Sequence, residues 1–236
     1  KGTKDDKYEI LVIDNNSSAP LNENEIKKIG KNIRYIYYEN DSNSPVDAIN
    51  YGVKIAKGGV VGIFIDGARM ASPGLITSAR FALQSLNRSF ITTLGWHLGS
   101  ELQYISVPNG YSKETEDRLL EKINWKENGY DLFSISCLSG SSKVGFFQPI
   151  SESNAFFLTK ELYEEIGGYD TRFDLAGGGY ANLDFYKRVC ETPEVNHIIL
   201  QGEGTFHQHH NGITTSGRNE KDIELLSSQV ERCNEI

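Results

Sequence analysis

Cysteine is scarce in these 236 residues. Cys137, Cys190 and Cys233 are odd in number and widely spaced, which excludes a disulfide framework or a zinc knuckle and predicts reduced thiols in a cytoplasmic setting. Basic residues are also in deficit, 24 against 32 acidic ones, for a formal net charge of −8. That balance excludes a general binder of nucleic-acid backbones, which needs a basic footprint. No apolar run approaches the ~20 residues of a membrane helix. Lys1 to Lys7 is polar and has no apolar signal-peptide core. Repeats, low-complexity tracts and dividing linkers are missing too. What is present, 38% hydrophobic residues with a mean hydropathy of −0.43, is the composition of a soluble globular chain. The length allows one large domain or two small ones, and with no linker one domain over 1–236 is expected.

Tyr8 to Asp14 (YEILVID) is an apolar run ending in an acid and the turn formers Asn15, Asn16 and Ser17, the pattern of a buried strand opening into a loop. Arg34 to Tyr38 is a second strand candidate. Ser44 and Pro45 start a helix that runs through Lys57 and stops at Gly58 and Gly59. Val60 to Ile65 (VVGIFI) is the most apolar strand and delivers Asp66 to its carboxyl end. Ser72 and Pro73 start a helix to about Leu86, and Phe90 to Leu94 reads as a strand. Further on, the pattern predicts helices at 114–123, 160–166 and 183–190, and strands at 132–137 and 155–158. Charged residues become frequent after Arg218, as in a surface helix or tail. Strand and helix alternating in this order predict an α/β fold with a mainly parallel central sheet flanked by helices and a ligand crevice at the strand ends.

Asp14 and Asp66 each stand at the carboxyl end of an apolar strand. A carboxylate there accepts hydrogen bonds from a ribose or base, or holds a divalent cation against a diphosphate. Taken singly, each is also an ordinary strand-end acid. The stretch 204–212 (GTFHQHHNG) holds three of the five histidines. If it is extended, His207 and His209 share one face while Gln208 and His210 share the other. Two imidazoles, or one with a carboxylate, suit a metal such as manganese or zinc, although a polar loop accounts for the same spacing. Gly177, Gly178 and Gly179 precede Asn182 and Asp184, as a helix entry capped by Asn182 or a place where a ligand approaches the backbone. Trp96, Tyr111 and Trp125 could stack on a sugar, or serve as core.

These pieces resemble family 2 glycosyltransferases of the GT-A fold. YEILVIDNNSS resembles their second strand and the turn after it, so the sequence is expected to lack the first strand of the fold. VVGIFIDGARMASPGLI resembles their DxD strand and the helix that follows. ESNAFFLTKELYEEIGGYDTRFDLAGGGYANLDFYKRV is similar to their acceptor-side block, and FHQHHNG to the late histidine segment that completes a metal site. The resemblance implies a transferase moving a sugar from a nucleotide-sugar donor, most simply a UDP-sugar, to a hydroxyl of a glycan or similar acceptor. A divalent cation, Mn2+ or Mg2+, would assist. Residues 8–100 would form the nucleotide half, 101–212 the acceptor and metal half, and 213–236 a tail or helix. Asp14, Asn16, Ser17 and Asp66 would hold the nucleotide. Asp66 and His207 would hold the metal, with His209 as a substitute ligand, and Gly178, Gly179 and Asn182 would face the acceptor. Two positions depart from the pattern: Ala68 replaces the second DxD acid, and Ala181-Asn182 replaces the pair that supplies a base. The Asn-Leu-Asp run is similar to that of the retaining polypeptide N-acetylgalactosaminyltransferases. Asparagine cannot take a proton from a hydroxyl, which leaves Asp184 and Glu152 as base candidates. A non-catalytic sugar-binding or interaction module and a nucleotidyltransferase stay open as alternatives.

Overall fold

The first two apolar runs form strands β1 (Ile10–Asn15) and β2 (Ile33–Tyr38), which pair in parallel with Ile10 opposite Ile33 and Asn15 opposite Tyr38. The computed structural model describes residues 8–65, 68–150, 152–210 and 229–230. Between the two strands runs helix α1 (Glu23–Ile29), which no apolar periodicity announces because none of its residues is buried. Its ends sustain it. The Asn22 side chain accepts from the Asn24 N–H at 2.9 Å, acids occupy the first turn and lysines the last.

Helix α2 (Val46–Ile55) starts after Ser44 and Pro45 and buries Val46, Ala48 and Val53. Strand β3 (Val60–Phe64) follows, then the short β4 (Arg69–Ala71), helix α3 (Leu75–Ser85) and strand β5 (Ser89–Leu98). The second half adds helices α4 (Gln103–Ser106) and α5 (Lys113–Glu121), strands β6 (Ser136–Leu138) and β7 (Ala155–Thr159), helices α6 (Lys160–Glu165) and α7 (Ala181–Glu191), and strand β8 (Asn196–His207). The strand expected over 132–137 is corrected. Gly129–Ile135 forms a 3-10 helix whose start is fixed by the Asn128 side chain accepting from the Tyr130 N–H, and the chain extends only from Ser136, as β6. Among the described residues no helix is long and apolar enough to cross a membrane.

The architecture is α/β, a central sheet flanked by helices, but the sheet is mixed rather than mainly parallel. Its order is β3-β7-β5-β8-β4, with β6 added to β5. Only β5 and β8 run in parallel within it; β3–β7, β7–β5, β4–β8 and β5–β6 are antiparallel. Parallel neighbours are the product of helical crossovers, whereas β7 is reached through the long excursion 99–154, which leaves its direction free.

The main core lies between this sheet and helices α2, α6 and α7. Its centre is aromatic. Phe185 of α7 stacks on Tyr169 at 4.7 Å and on Phe156 of β7 at 5.3 Å, and both Phe185 and Phe156 are fully enclosed. A polar joint fastens β8 to the start of α3. The buried carboxylate of Glu203 accepts from the hydroxyls of Ser72, Ser78 and Tyr130. Gly74 must lack a side chain there, because a Cβ would lie 2.2 Å from Glu203 Oε1. Trp96 and Trp125 pack against a second cluster with Leu98, Leu132 and Phe206, so both are core side chains.

Candidate active site

Asp14 sits on β1 where the strand turns, and the turn is closed by its own side chain. Oδ1 accepts from the Ser17 N–H at 2.9 Å, and Oδ2 accepts from the Tyr35 hydroxyl of β2 at 2.5 Å. Burial, the largest single influence on this carboxyl, pushes its pKa up, but the bonds from Ser17 and Tyr35 outweigh it and hold the group below the usual aspartate value. Asn16 adopts the left-handed conformation, φ 57°, and is tied by its side chain to the Asn40 carbonyl and the Tyr37 hydroxyl. Asp14, Asn16 and Ser17 thus occupy one rigid turn.

This turn is joined to the glycine-rich segment. Asn15 donates to the Ser44 carbonyl at 3.0 Å, the Ser44 hydroxyl donates to the Phe173 carbonyl at 2.6 Å, and Pro45 lies over Gly178. Gly178 and Gly179 have φ of 80° and 54°, conformations that side chains avoid, and a Cβ on Gly179 would collide with Gln229. Gln229 Oε1 accepts from the Tyr180 N–H at 2.8 Å. Asn182 does not cap α7. Its Nδ2 donates to Glu152 Oε2 at 2.9 Å and to the Ser153 carbonyl at 3.1 Å, while its Oδ1 accepts from the Tyr169 hydroxyl at 3.0 Å. Glu152 and Asn182, 30 residues apart in sequence, therefore form one polar unit.

Asp184 lies elsewhere. It is fully buried on the core side of α7 and held by Arg188 through two contacts on Oδ2, at 2.9 Å and 2.7 Å. A carboxylate enclosed and neutralised in this way is a structural ion pair with no route to an acceptor, so the geometry turns away from it as a base. Asp66 lies outside the described residues.

His207 ends β8, opposite Arg69 of β4, and is buried. The strand alternation expected to pair it with His209 stops there. Gln208 donates its N–H to the Ala68 carbonyl, and the His209 N–H donates to Glu116 Oε2 at 2.7 Å, which turns the chain back. His210 is the residue brought to His207, with the two Nε2 atoms 3.0 Å apart, while the His209 ring lies against Tyr111. Gln103, fully buried on α4, bridges the strand end: its Nε2 donates to the His207 carbonyl at 3.1 Å and its Oε1 meets His207 Nδ1 at 2.5 Å. His97 of β5 stacks near His207, ring centres 5.3 Å apart, and accepts from the Gln103 N–H. Burial first, then His207 and Arg69, lowers the His97 pKa to about 4, so the ring is neutral. Glu116 shifts the other way: burial raises its pKa against the His209 and Tyr111 bonds that lower it. Gln103 and His97 carry no motif that would mark them in sequence, whereas Tyr169 and His210 sit inside the acceptor-side block and the histidine segment without a role being assigned to them. Among the described residues no three His, Cys, Asp or Glu side chains form a group able to hold a metal. The His207 and His210 rings meet through a hydrogen bond between their Nε2 atoms.

The sequence model of the Glycosyltransferase like family 2 matches residues 2–198. No curated protein sequence matches the chain. Among solved structures it is similar to GalNAc-T7 with UDP, GalNAc and Mn2+, at a TM-score of 0.56 and 11% identity, covering 92% of this chain and 41% of that one. It is also similar to S. aureus TarS 1–349 in complex with UDP-GlcNAc, at a TM-score of 0.53 and 10% identity, covering 94% of this chain and 57% of that one. The chain thus spans well under two thirds of either protein, and at these identities the likeness concerns the GT-A fold alone. With a family match over most of its length and the fold to accompany it, the chain belongs to the glycosyltransferase-like family 2.

Proposed function

We propose that this chain is a glycosyltransferase that moves a sugar from a UDP-sugar to a hydroxyl of a glycan or similar acceptor, assisted by Mn2+ or Mg2+. The observation that carries this is the Asp14 turn: an ionised carboxylate fixed at a strand end, in a chain of this family. The UDP and UDP-GlcNAc of the two similar structures support uridine as the nucleotide. Asp14 would accept hydrogen bonds from the base or ribose, and Asn16 and Ser17 keep the turn in shape. The metal would be held by His207 together with Asp66, and when bound it supplies neutralising charge for the departing diphosphate. Gly178 and Gly179 would border the acceptor side through their backbone alone, since Pro45 and Gln229 fill the space where their side chains would stand. Glu152 would take the acceptor proton, because a carboxylate held by Asn182 through one oxygen keeps further lone pairs for a hydroxyl. Asn182 is then a positioning residue, itself oriented by Tyr169.

Calorimetry with UDP and Mn2+, paired with an assay of UDP release from UDP-sugars, tests this. The intact chain should bind UDP, and Asp14→Asn should weaken binding about ten- to hundredfold, the worth of a hydrogen bond to a charged group. Glu152→Gln should leave UDP affinity in place and slow transfer by roughly 10²–10⁴. Absence of UDP binding would refute the proposal, and binding without turnover of any donor would point to the non-catalytic module.

A further inference from the structure

We propose that Phe147, with Phe146 beside it, is a stacking platform for a pyranose ring of the acceptor, on the loop that leads into the Glu152–Asn182 unit. The inference rests on the transferase reading above and names the acceptor side of that site. Phe147 is 96% exposed, more than any other large apolar side chain among the described residues, and Phe146 is 43% exposed. A ring standing in water adds nothing to the core, and two adjacent ones form an apolar patch of the kind that marks a binding surface.

The chain around them is built to present them. On one side the Ser139 N–H donates to the Gly95 carbonyl of β5 at 2.9 Å, and the Ser142 hydroxyl accepts from the Gly95 N–H at 3.0 Å. Gly145, at φ 61°, turns the chain outward, and its N–H donates to the Ser142 carbonyl at 2.9 Å. On the other side the loop returns at Ile150, which is enclosed in the main core. Both feet are thus fixed, while Phe146, Phe147, Gln148 and Pro149 between them are all exposed. A tip held in this way has less freedom to lose when a ligand settles on it.

The loop returns to the end of the sheet where the strands open. The Ile65 N–H donates to the Asn154 carbonyl at 3.0 Å and Phe64 pairs with Ala155, so the chain enters β7 at the carboxyl end of β3. Glu152 follows Phe147 by five residues, which limits their separation to roughly 18 Å, the span of a fully extended chain. That is within reach of a short oligosaccharide. A pyranose ring has the matching chemistry: the C–H bonds on one of its faces are apolar and slightly positive, and the face of a phenyl ring carries the negative side of its quadrupole. The exposed Gln148 amide, with donors and an acceptor, suits hydroxyls at the rim of the sugar. Exposed phenylalanines also fit a bilayer, but a net charge of −8 works against an anionic one.

The test is saturation-transfer NMR on the full chain with UDP and MnCl2, using as probes the methyl β-pyranosides of glucose, galactose, N-acetylglucosamine and N-acetylgalactosamine. At least one probe should bind, with transfer concentrated on the C–H protons of one ring face. Phe147→Ala should weaken that binding by about tenfold or more, the worth of covering a phenyl ring. Phe147→Trp, which keeps an aromatic face, should retain it. Phe81→Ala, which removes an exposed ring from α3, should bind the sugar as the wild type does. Calorimetry should give the same UDP affinity in every variant, and circular dichroism should show each one folded. Binding of none of the four sugars, or equal binding in Phe147→Ala, would overturn the proposal. Sedimentation of such a chain with phosphatidylglycerol vesicles, lost in Phe147→Ala, would assign the tip to a membrane instead. UDP binding that survives such a result leaves the transferase function standing. A sugar held on Phe147 by a chain that binds no UDP supports the platform and removes the transferase.

Discussion

Arg188 reaches back one turn along α7 and grips Asp184 Oδ2 with Nε at 2.9 Å and Nη2 at 2.7 Å, while its Nη1 donates to the Ile166 carbonyl at 2.9 Å. Asp184 is wholly excluded from solvent, so its charge depends on this one partner. Removing one member of a buried pair leaves an uncompensated charge, which costs about 3–5 kcal/mol, whereas replacing both by apolar groups of similar volume is close to neutral. Arg188→Met should therefore lower stability to urea by about that amount, and the double variant Asp184→Leu with Arg188→Met should recover most of it. Equal losses in the single and double variants would show that the pair is not what holds this end of α7. Glu152 contrasts with Asp184 in each respect: it is partly exposed, and its partner is a neutral amide that orients the carboxylate without neutralising it.

At the scale of elements, the same α7 is docked by one ring. Phe185 stacks on both Tyr169 and Phe156, which also lie against each other at 6.5 Å, and Phe90 meets its edge. Phe185→Ala should cost about 3–5 kcal/mol in a urea melt and loosen the Asn182–Glu152 pair carried by the same helix. A loss below 1 kcal/mol would mean the stack collapses to fill the gap. α2, β3 and α7 are legible in the sequence because their apolar residues recur at the period of the element and Ser-Pro or glycine marks the ends. α1 is not, because a helix with no buried face leaves no apolar period. β8 is hidden differently. Gly202 at φ 77°, Gly204 and the buried Glu203 interrupt its apolar pattern, and Glu203 makes sense only once Ser72, Ser78 and Tyr130 arrive from distant positions. The site divides along the same line. The Asp14 turn is local and could be read directly. The Glu152–Asn182 pair needs β7 to bring its members together, and the histidine pair was obscured because a two-residue period holds only while the strand lasts, and β8 ends at His207.

For the whole molecule, the groups whose protonation differs between folded and unfolded chains decide how stability responds to acid. His97 has a pKa of about 4 in the fold against 6.5 for a free imidazole. Between these values the unfolded chain binds the extra proton and the folded chain does not, so stability falls as pH drops from 6.5 and the loss is complete near pH 4. His197, also lowered by burial, acts with the same sign. Glu116 opposes them: its raised pKa makes the fold bind a proton first, so its contribution improves as pH falls. Asp14, held below the usual aspartate value, gives stability that is present at neutral pH and is lost only under more acidic conditions, as pH falls through its folded pKa. In the window from 6.5 to about 4.5, His97 is thus the group whose pKa is lowered furthest. Asparagine at this position can place Oδ1 where Nδ1 accepts from the Gln103 N–H, and it does not titrate. His97→Asn should match the wild type in form and lose less stability between pH 7 and pH 4.5, by an amount of the order of 1 kcal/mol once residual solvent contact is allowed for. Urea midpoints at the two pH values measure it. An equal decline in both proteins would place the acid sensitivity of the molecule at some other group.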